Sequence, residues 1–208
     1  MSTQSFDPRL AMQAYLSSLT DALARVSLAD LARVAKELES AYAAGRTIYI
    51  CGNGGSAATA SHLAVDLAKS TRAPGARPIR VVSLVDHVAA LTAWANDVGY
   101  DSVFSGQLAG LAQAGDVVIG ISASGNSPNV LAALQYARDI GATTLGLLGQ
   151  GGGLARRLCD VWVEAPAPSI EEQEDIHMML AHLLTRSMRT VVHGQLPALA
   201  GQVQGADG

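Results

Sequence analysis

The 208 residues read as an α/β domain: a five-stranded parallel sheet in the flavodoxin-like order, flanked by helices, with two extra helices at the N-terminus and one long helix at the C-terminus. Three observations carry this reading. Short apolar segments alternate with helix-patterned ones from Thr47 to Glu164. Those segments are nearly continuous in apolar residues, as strands buried on both faces must be. Two of them run into glycine- and serine-rich loops that open helices, where the order of such a sheet reverses and ligands bind.

Taken in order, Asp7-Pro8 forms an N-cap and first helical residue. Met12, Tyr15, Leu16, Leu19, Leu23 and Val26 follow at helical spacing. Ser27 with Asp30 caps a second helix, whose stripe is Leu31, Val34, Leu38 and Tyr42 and whose end is Gly45. Thr47 to Cys51 is the first strand, and a helix covers Ala57 to Ser70 after a glycine run. Ile79 to Leu84 is the second strand. Val88 to Trp94 and Ser102 to Ala114 are helical. Asp116 to Ile121 is the third strand, and Ser127-Pro128 starts a helix reaching Ile140. Thr144 to Leu148 is the fourth strand, Leu154 to Leu158 a short helix and Val161 to Glu164 the fifth strand.

Ser169 and Glu172 match a capping box. The helix they open runs to Val192 and carries Met178, Met179, Leu180, Leu183 and Leu184, apolar nearly all round and so expected to be buried on several sides. One domain therefore spans 1–194, with a helical extension over 8–45 and the α/β core over 46–194. A flexible Gly-, Ala- and Gln-rich tail is expected over 195–208.

Composition narrows the class. Hydrophobic residues are 49% and charged residues 15%, which suits a chain with much buried surface and a large subunit interface. A net charge of -4 offers no footprint for nucleic acid or for an anionic membrane. The N-terminus lacks a basic-then-apolar leader, and no apolar run reaches the length of a membrane span. Cys51 and Cys159 read as core thiols with no metal-site spacing. A cytoplasmic, reduced protein is expected. Lysine occurs only at Lys36 and Lys69, which all but removes Schiff-base chemistry.

The two loops are Cys51-Gly-Asn-Gly-Gly-Ser56 and Ser122-Ala-Ser-Gly-Asn-Ser127. Glycines let backbone N–H groups converge on an anion, the helix N-terminus adds partial positive charge, and serine hydroxyls donate. Such loops hold a phosphate without lysine or arginine. Gly52-x-Gly54-x-x-Ala57 alone also fits a dinucleotide fingerprint with Asp86 as its acidic partner, but that pattern has no use for a second serine loop. His62, Asp66 and Lys69 follow the first loop at i, i+4 and i+7 on one helix stripe. Read without context, they are a structural histidine beside an exposed ion pair; next to a phosphate loop they line a cleft. Glu174, His177 and His182 share the last helix. Glu174 also belongs to an acidic cluster that complements the helix dipole.

The paired loops resemble the signature of the SIS (sugar isomerase) family. His62 and Asp66, the stretch Ala95 to Tyr100, and Glu174 to His182 resemble its phosphoheptose isomerase branch, over about Leu10 to Val192. The resemblance implies an aldose–ketose isomerase acting on sedoheptulose 7-phosphate, with Asp66 as base and His182 as acid. It implies zinc on His62, Asp66, Glu174 and His182, no organic cofactor, and a homotetramer. It makes Asn53, Gly54, Gly55, Ser56, Lys69, Asp97, Ser122, Ser124 and Ser127 the substrate contacts. Three departures stand out: Asp66 replaces Glu, Glu174 replaces Gln, and Ser70 replaces a common Arg, with Lys69 adjacent. A non-catalytic relative binding a sugar phosphate or a protein partner is the alternative. Glu174 and His182 are eight residues apart, about 12 Å along one helix, so a shared ion needs a long reach, an early start of the helix or a second subunit.

Overall fold

Asp7 accepts a hydrogen bond from the Arg9 N–H, and Pro8 begins α1 (Pro8–Ala24), as the cap-plus-proline pair dictates. The computed structural model describes residues 7–194; the expected tail lies outside the described residues. Ser27 caps α2 (Leu28–Ala43) through its hydroxyl, which accepts from the Asp30 N–H. The strands are β1 (Thr47–Gly52), β2 (Arg80–Ser83), β3 (Val117–Ser122), β4 (Thr143–Leu148) and β5 (Val161–Glu164). All pair in parallel in the order β2-β1-β3-β4-β5, the flavodoxin-like order.

Side-chain alternation along these strands divides the core in two. Ile48, Ile50, Ile119, Leu145 and Leu147 meet the face covered by α2, by α3 (Gly55–Val65) and by α7 (Ile170–Val192). Tyr49, Cys51 and Val118 meet the other, covered by α5 (Ser105–Leu111) and α6 (Pro128–Asp139). On that second face Gly120 pairs with Gly146, and a side chain at Gly120 would press on Val130 and Leu134 of α6. Gly120 lets α6 approach the sheet, and Gly146 makes room for Cys159 and Trp162.

Four expectations need correction. The helix expected from Ala57 to Ser70 is α-helical only to Val65, and Asp66–Ser70 form a π-helical turn. The helix expected over Ser102 to Ala114 shrinks to α5, preceded by a 3-10 turn over Tyr100–Ser102; Phe104, directly before α5, is buried. Helix α4 extends to Asp97 (Val88–Asp97), yet none of its residues is buried. On α7 Met179 and Leu183, expected to be buried, are exposed; Met12 and Leu16 in the stripe of α1 are exposed as well. Among the described residues no helix is long and apolar enough to cross a membrane.

Candidate active site

Helices α3 and α7 each leave the carboxyl end of a strand on the same face of the sheet, so they pack side by side in the same direction. Their contacts recur at a nearly constant sequence offset. Gly55 faces Glu174, His62 faces His182, and Ser70 faces Arg189. This ladder brings residues more than a hundred positions apart to one seam.

At its middle rung the Nε2 atoms of His62 and His182 are 3.0 Å apart, one ring donating and the other accepting, with the rings edge-on at 76°. Asp66 Oδ2 lies 3.4 Å from His62 Nε2. One ligand-type atom from each of the three residues falls within 4.8 Å of the others. Two imidazole nitrogens and a carboxylate oxygen form a zinc-type donor set. Nitrogens about 2.0–2.1 Å from a tetrahedral zinc sit roughly 3.3 Å apart, so a slight ring rotation opens the pair enough. The residues present therefore fit the metal. The other carboxylate oxygen, Asp66 Oδ1, accepts from the Ser70 hydroxyl at 3.1 Å. Lys69 is exposed, and Asp66 pairs with His62 and Ser70, not in an ion pair with Lys69.

Glu174 does not join this group. α7 is regular from Ile170, so Glu174 lies inside the helix and the spacing of about 12 Å to His182 stands. Its carboxylate packs where a Cβ on Gly55 would be, at the head of α3. The glycine makes room for it. His62 is seven residues further along α3, about 10 Å from that head.

The first loop turns at Gly54, which takes φ +56° and ψ -123° as the N-cap of α3. Such a conformation suits glycine alone. Ser56 is buried and packs back on Gly52. Asn53, expected to meet substrate, spends its side chain on the protein. Its Nδ2 donates to Asn129 Oδ1 at 2.8 Å, and its Oδ1 accepts from Asn129 Nδ2 at 2.9 Å and from the Tyr100 hydroxyl at 3.0 Å. The amide pair staples the first loop to the helix that the second loop opens. The Asn53 backbone and one Nδ2 proton are left to meet a ligand. Asp97, exposed at the end of α4, accepts from Asn96 Nδ2 and lines a small cavity with Ala93, Trp94 and Val98.

In the second loop Ser122 Oγ accepts from the Gly125 N–H and sits 3.4 Å from Ser127 Oγ. Ser124 is exposed, its hydroxyl accepting from the Asn126 N–H. Ser127 occupies the N-cap of α6 but makes no side-chain cap bond; Pro128 has no N–H and the Val130 N–H goes to Asn129 Oδ1, so the Ser127 hydroxyl and the Asn129 N–H are what the head of α6 offers an anion. The loop is braced from behind: Gly125 O accepts from Ala155 N–H, and Asn126 Oδ1 from Leu154 N–H.

His177 follows a different course from His182. Five residues along a helix turn it to another face, and it is fully buried with neither ring nitrogen hydrogen-bonded. Burial pushes its pKa down to about 4; the Leu148 carbonyl nearby offsets this only in part and completes no hydrogen bond. It is a neutral core ring. Cys51 and Cys159 are buried free thiols pushed up to about 12 by burial, hence inert. The pattern of residues did not point to Asn129, Tyr100 or Arg189. Pro128 at the first position of α6 marks where a loop-facing Asn129 sits, which is the one signal available for it.

A model of the SIS domain family matches residues 13–149. A phosphoheptose isomerase of Pelobacter propionicus is 42% identical over 167 residues, covering 80% of this chain and 88% of that protein. Among solved structures, a phosphoheptose isomerase from Neisseria gonorrhoeae superposes with TM-score 0.79 at 30% identity, over 88% of this chain and 98% of that one. One from Francisella tularensis gives 0.83 at 26% identity, over 89% and 100%.

Proposed function

We propose a sugar-phosphate isomerase, from the premise that this chain belongs to the SIS domain family and falls with its phosphoheptose isomerases. The reaction interconverts sedoheptulose 7-phosphate and D-glycero-D-manno-heptose 7-phosphate through an enediol. The single observation that carries the reading is the convergence of His62, Asp66 and His182 on one seam along the helix that the first loop opens.

The phosphate binds at Ser122, Ser124 and Ser127, where hydroxyls and the head of α6 supply hydrogen bonds and partial positive charge. The backbone at Asn53, Gly54, Gly55 and Ser56, with Asp97 and Lys69, holds the sugar. Asp66 removes the proton from the carbon beside the carbonyl and later returns it to the neighbouring carbon. His182 carries a proton between the two oxygens, so the charge on the enediolate is never left uncompensated. Ser70 holds one Asp66 oxygen, which leaves the other facing His62 and the substrate.

His62, Asp66 and His182 would hold zinc, and Glu174 completes the set only if a neighbouring subunit brings it in. Zinc held by these residues would supply Lewis acidity toward the sugar carbonyl. We place this site at an interface of a cytoplasmic homotetramer, because exposed Met179 and Leu183 flank His182 and because α1 and α4 present unburied apolar residues. No organic cofactor is needed for the proton transfers.

The test is solvent exchange. The protein is incubated in heavy water with C5, C6 and C7 ketose phosphates, with and without zinc. Deuterium should enter the C7 substrate fastest; none entering any of them would refute the enzyme. Light scattering gives the subunit count.

A further inference from the structure

We propose that Ser70 is a positioning residue that fixes the Asp66 carboxylate, and that Arg189 anchors Ser70 in turn. The inference rests on the isomerase reading for the role of Asp66, and adds to it how that side chain is held. In an α-helix a serine most often turns its hydroxyl to the backbone carbonyl four residues earlier. Ser70 instead donates to the Asp66 side chain, Oγ to Oδ1 at 3.1 Å. The two residues stand at i and i+4, neighbours on one helix face, and are the two ends of a π-helical turn. The turn is tied to α7 by Arg189, whose Nε donates to the Ser70 carbonyl at 2.8 Å.

The consequence is directional. Asp66 has two oxygens and two tasks. With Oδ1 held by Ser70, Oδ2 is the one facing His62, at 3.4 Å. Aspartate is one methylene shorter than glutamate, so the placement of its carboxylate depends more on the backbone that carries it. That backbone is the π-helical turn, and the Ser70 bond fixes the rotation. Ser70 matters only through Asp66, and its loss should slow the proton transfer without loosening the substrate.

Three variants test this in the full chain: Ser70→Ala, Ser70→Thr and Arg189→Leu. The readouts are kcat and KM for sedoheptulose 7-phosphate, Co²⁺ affinity from its visible absorption, and the melting midpoint. Loss of a hydrogen bond to a metal-binding side chain costs about 10–100-fold in affinity or activity. Ser70→Ala should therefore lower kcat and weaken Co²⁺ binding by about tenfold or more, with KM within about twofold. Ser70→Thr should restore both, since it keeps the hydroxyl. Arg189→Leu should follow Ser70→Ala in direction. Unchanged kcat and Co²⁺ affinity in Ser70→Ala would overturn the proposal. So would losses that track a lowered melting midpoint and are not restored by threonine. If the unaltered protein isomerises nothing, the functional reading fails, and the Co²⁺ titration alone decides the role of Ser70.

Discussion

The side-chain amides of Asn53 and Asn129 face each other with both hydrogen bonds made, 2.8 and 2.9 Å long, and so join two loops that the chain separates by 76 residues. Asn129 is buried, and its Oδ1 also accepts from the Val130 N–H. Asn129→Asp keeps that acceptor but loses the donor to Asn53 and buries a charge. A buried hydrogen bond broken on one side costs about 1–3 kcal/mol. Asn129→Asp should lose that much stability in urea and raise KM several-fold as the loops part. Tyr100→Phe removes only an exposed bond to Asn53 and should cost well under half as much. Equal stability of the two variants would show that the amide pair is no staple.

The seam at His62 and His182 makes a second expectation about metal. His62→Ala and His182→Ala should each lower zinc affinity at least a hundredfold, measured by competition with a chromophoric chelator. Glu174→Gln should change it less than about tenfold, because its carboxylate sits at Gly55 and not among the three donors. A loss equal to that of His62→Ala would put Glu174 on the ion from another subunit. His182→Ala should also slow deuterium exchange by about a hundredfold or more, the usual worth of a general acid or base.

The sheet order and the capped helix starts are legible in the sequence because each depends on local chemistry. Asp7-Pro8, Ser27 and the Ser169–Glu172 box all cap as their types require. Both loops lie at the carboxyl ends of adjacent strands because glycine and serine there leave few other uses. The seam is legible only in part. His62 and Asp66 share a helix face by spacing, but the π-turn, which packs against α7, has no signature at Asp66 to Ser70. Ser70 follows Asp66 at an ordinary i, i+4 spacing; what the sequence does not show is that the serine donates to that carboxylate and not to the backbone. Asn129 is hidden for another reason: an amide next to a phosphate-type loop looks like a ligand contact until its partner is located. The exposed stripe of α1 marks where one chain's pattern exceeds what that chain can bury.

His177 sets an acid limit on stability. Its pKa is near 4 in the fold, below the ordinary histidine value, because burial disfavours the charged ring. Between that value and about 6.5 the unfolded chain binds a proton that the folded chain refuses. Stability is thus full above about pH 6.5 and falls as pH drops toward 4, by on the order of 3 kcal/mol from this residue. In His177→Leu that share of the acid loss should vanish. Urea midpoints at pH 7, 5.5 and 4.5 measure it; parallel curves for the two proteins would mean that the ring is protonated in place.

Two glycines, substituted alike, should respond oppositely. At Gly55 an added methyl meets the Glu174 carboxylate, the free end of a flexible side chain. Gly55→Ala should therefore fold normally, pushing Glu174 aside, and the double change with Glu174→Ala should match Glu174→Ala alone in kcat and KM. At Gly125 the same methyl meets the Gly152 carbonyl, which is backbone, and φ is +62°. Neither side can yield cheaply, since Ala155 and Leu154 tie the two loops together through Gly125 O and Asn126 Oδ1. Gly125→Ala should lower stability by about 1–3 kcal/mol, the range for a residue forced into a strained backbone region. It should weaken inorganic phosphate binding as well, because Ser122 and Ser124 flank the displaced turn. Thermal melts with and without phosphate would show both effects. A Gly125→Ala protein that melts like the original would mean the second loop moves freely, and a preformed anion seat would have to be abandoned.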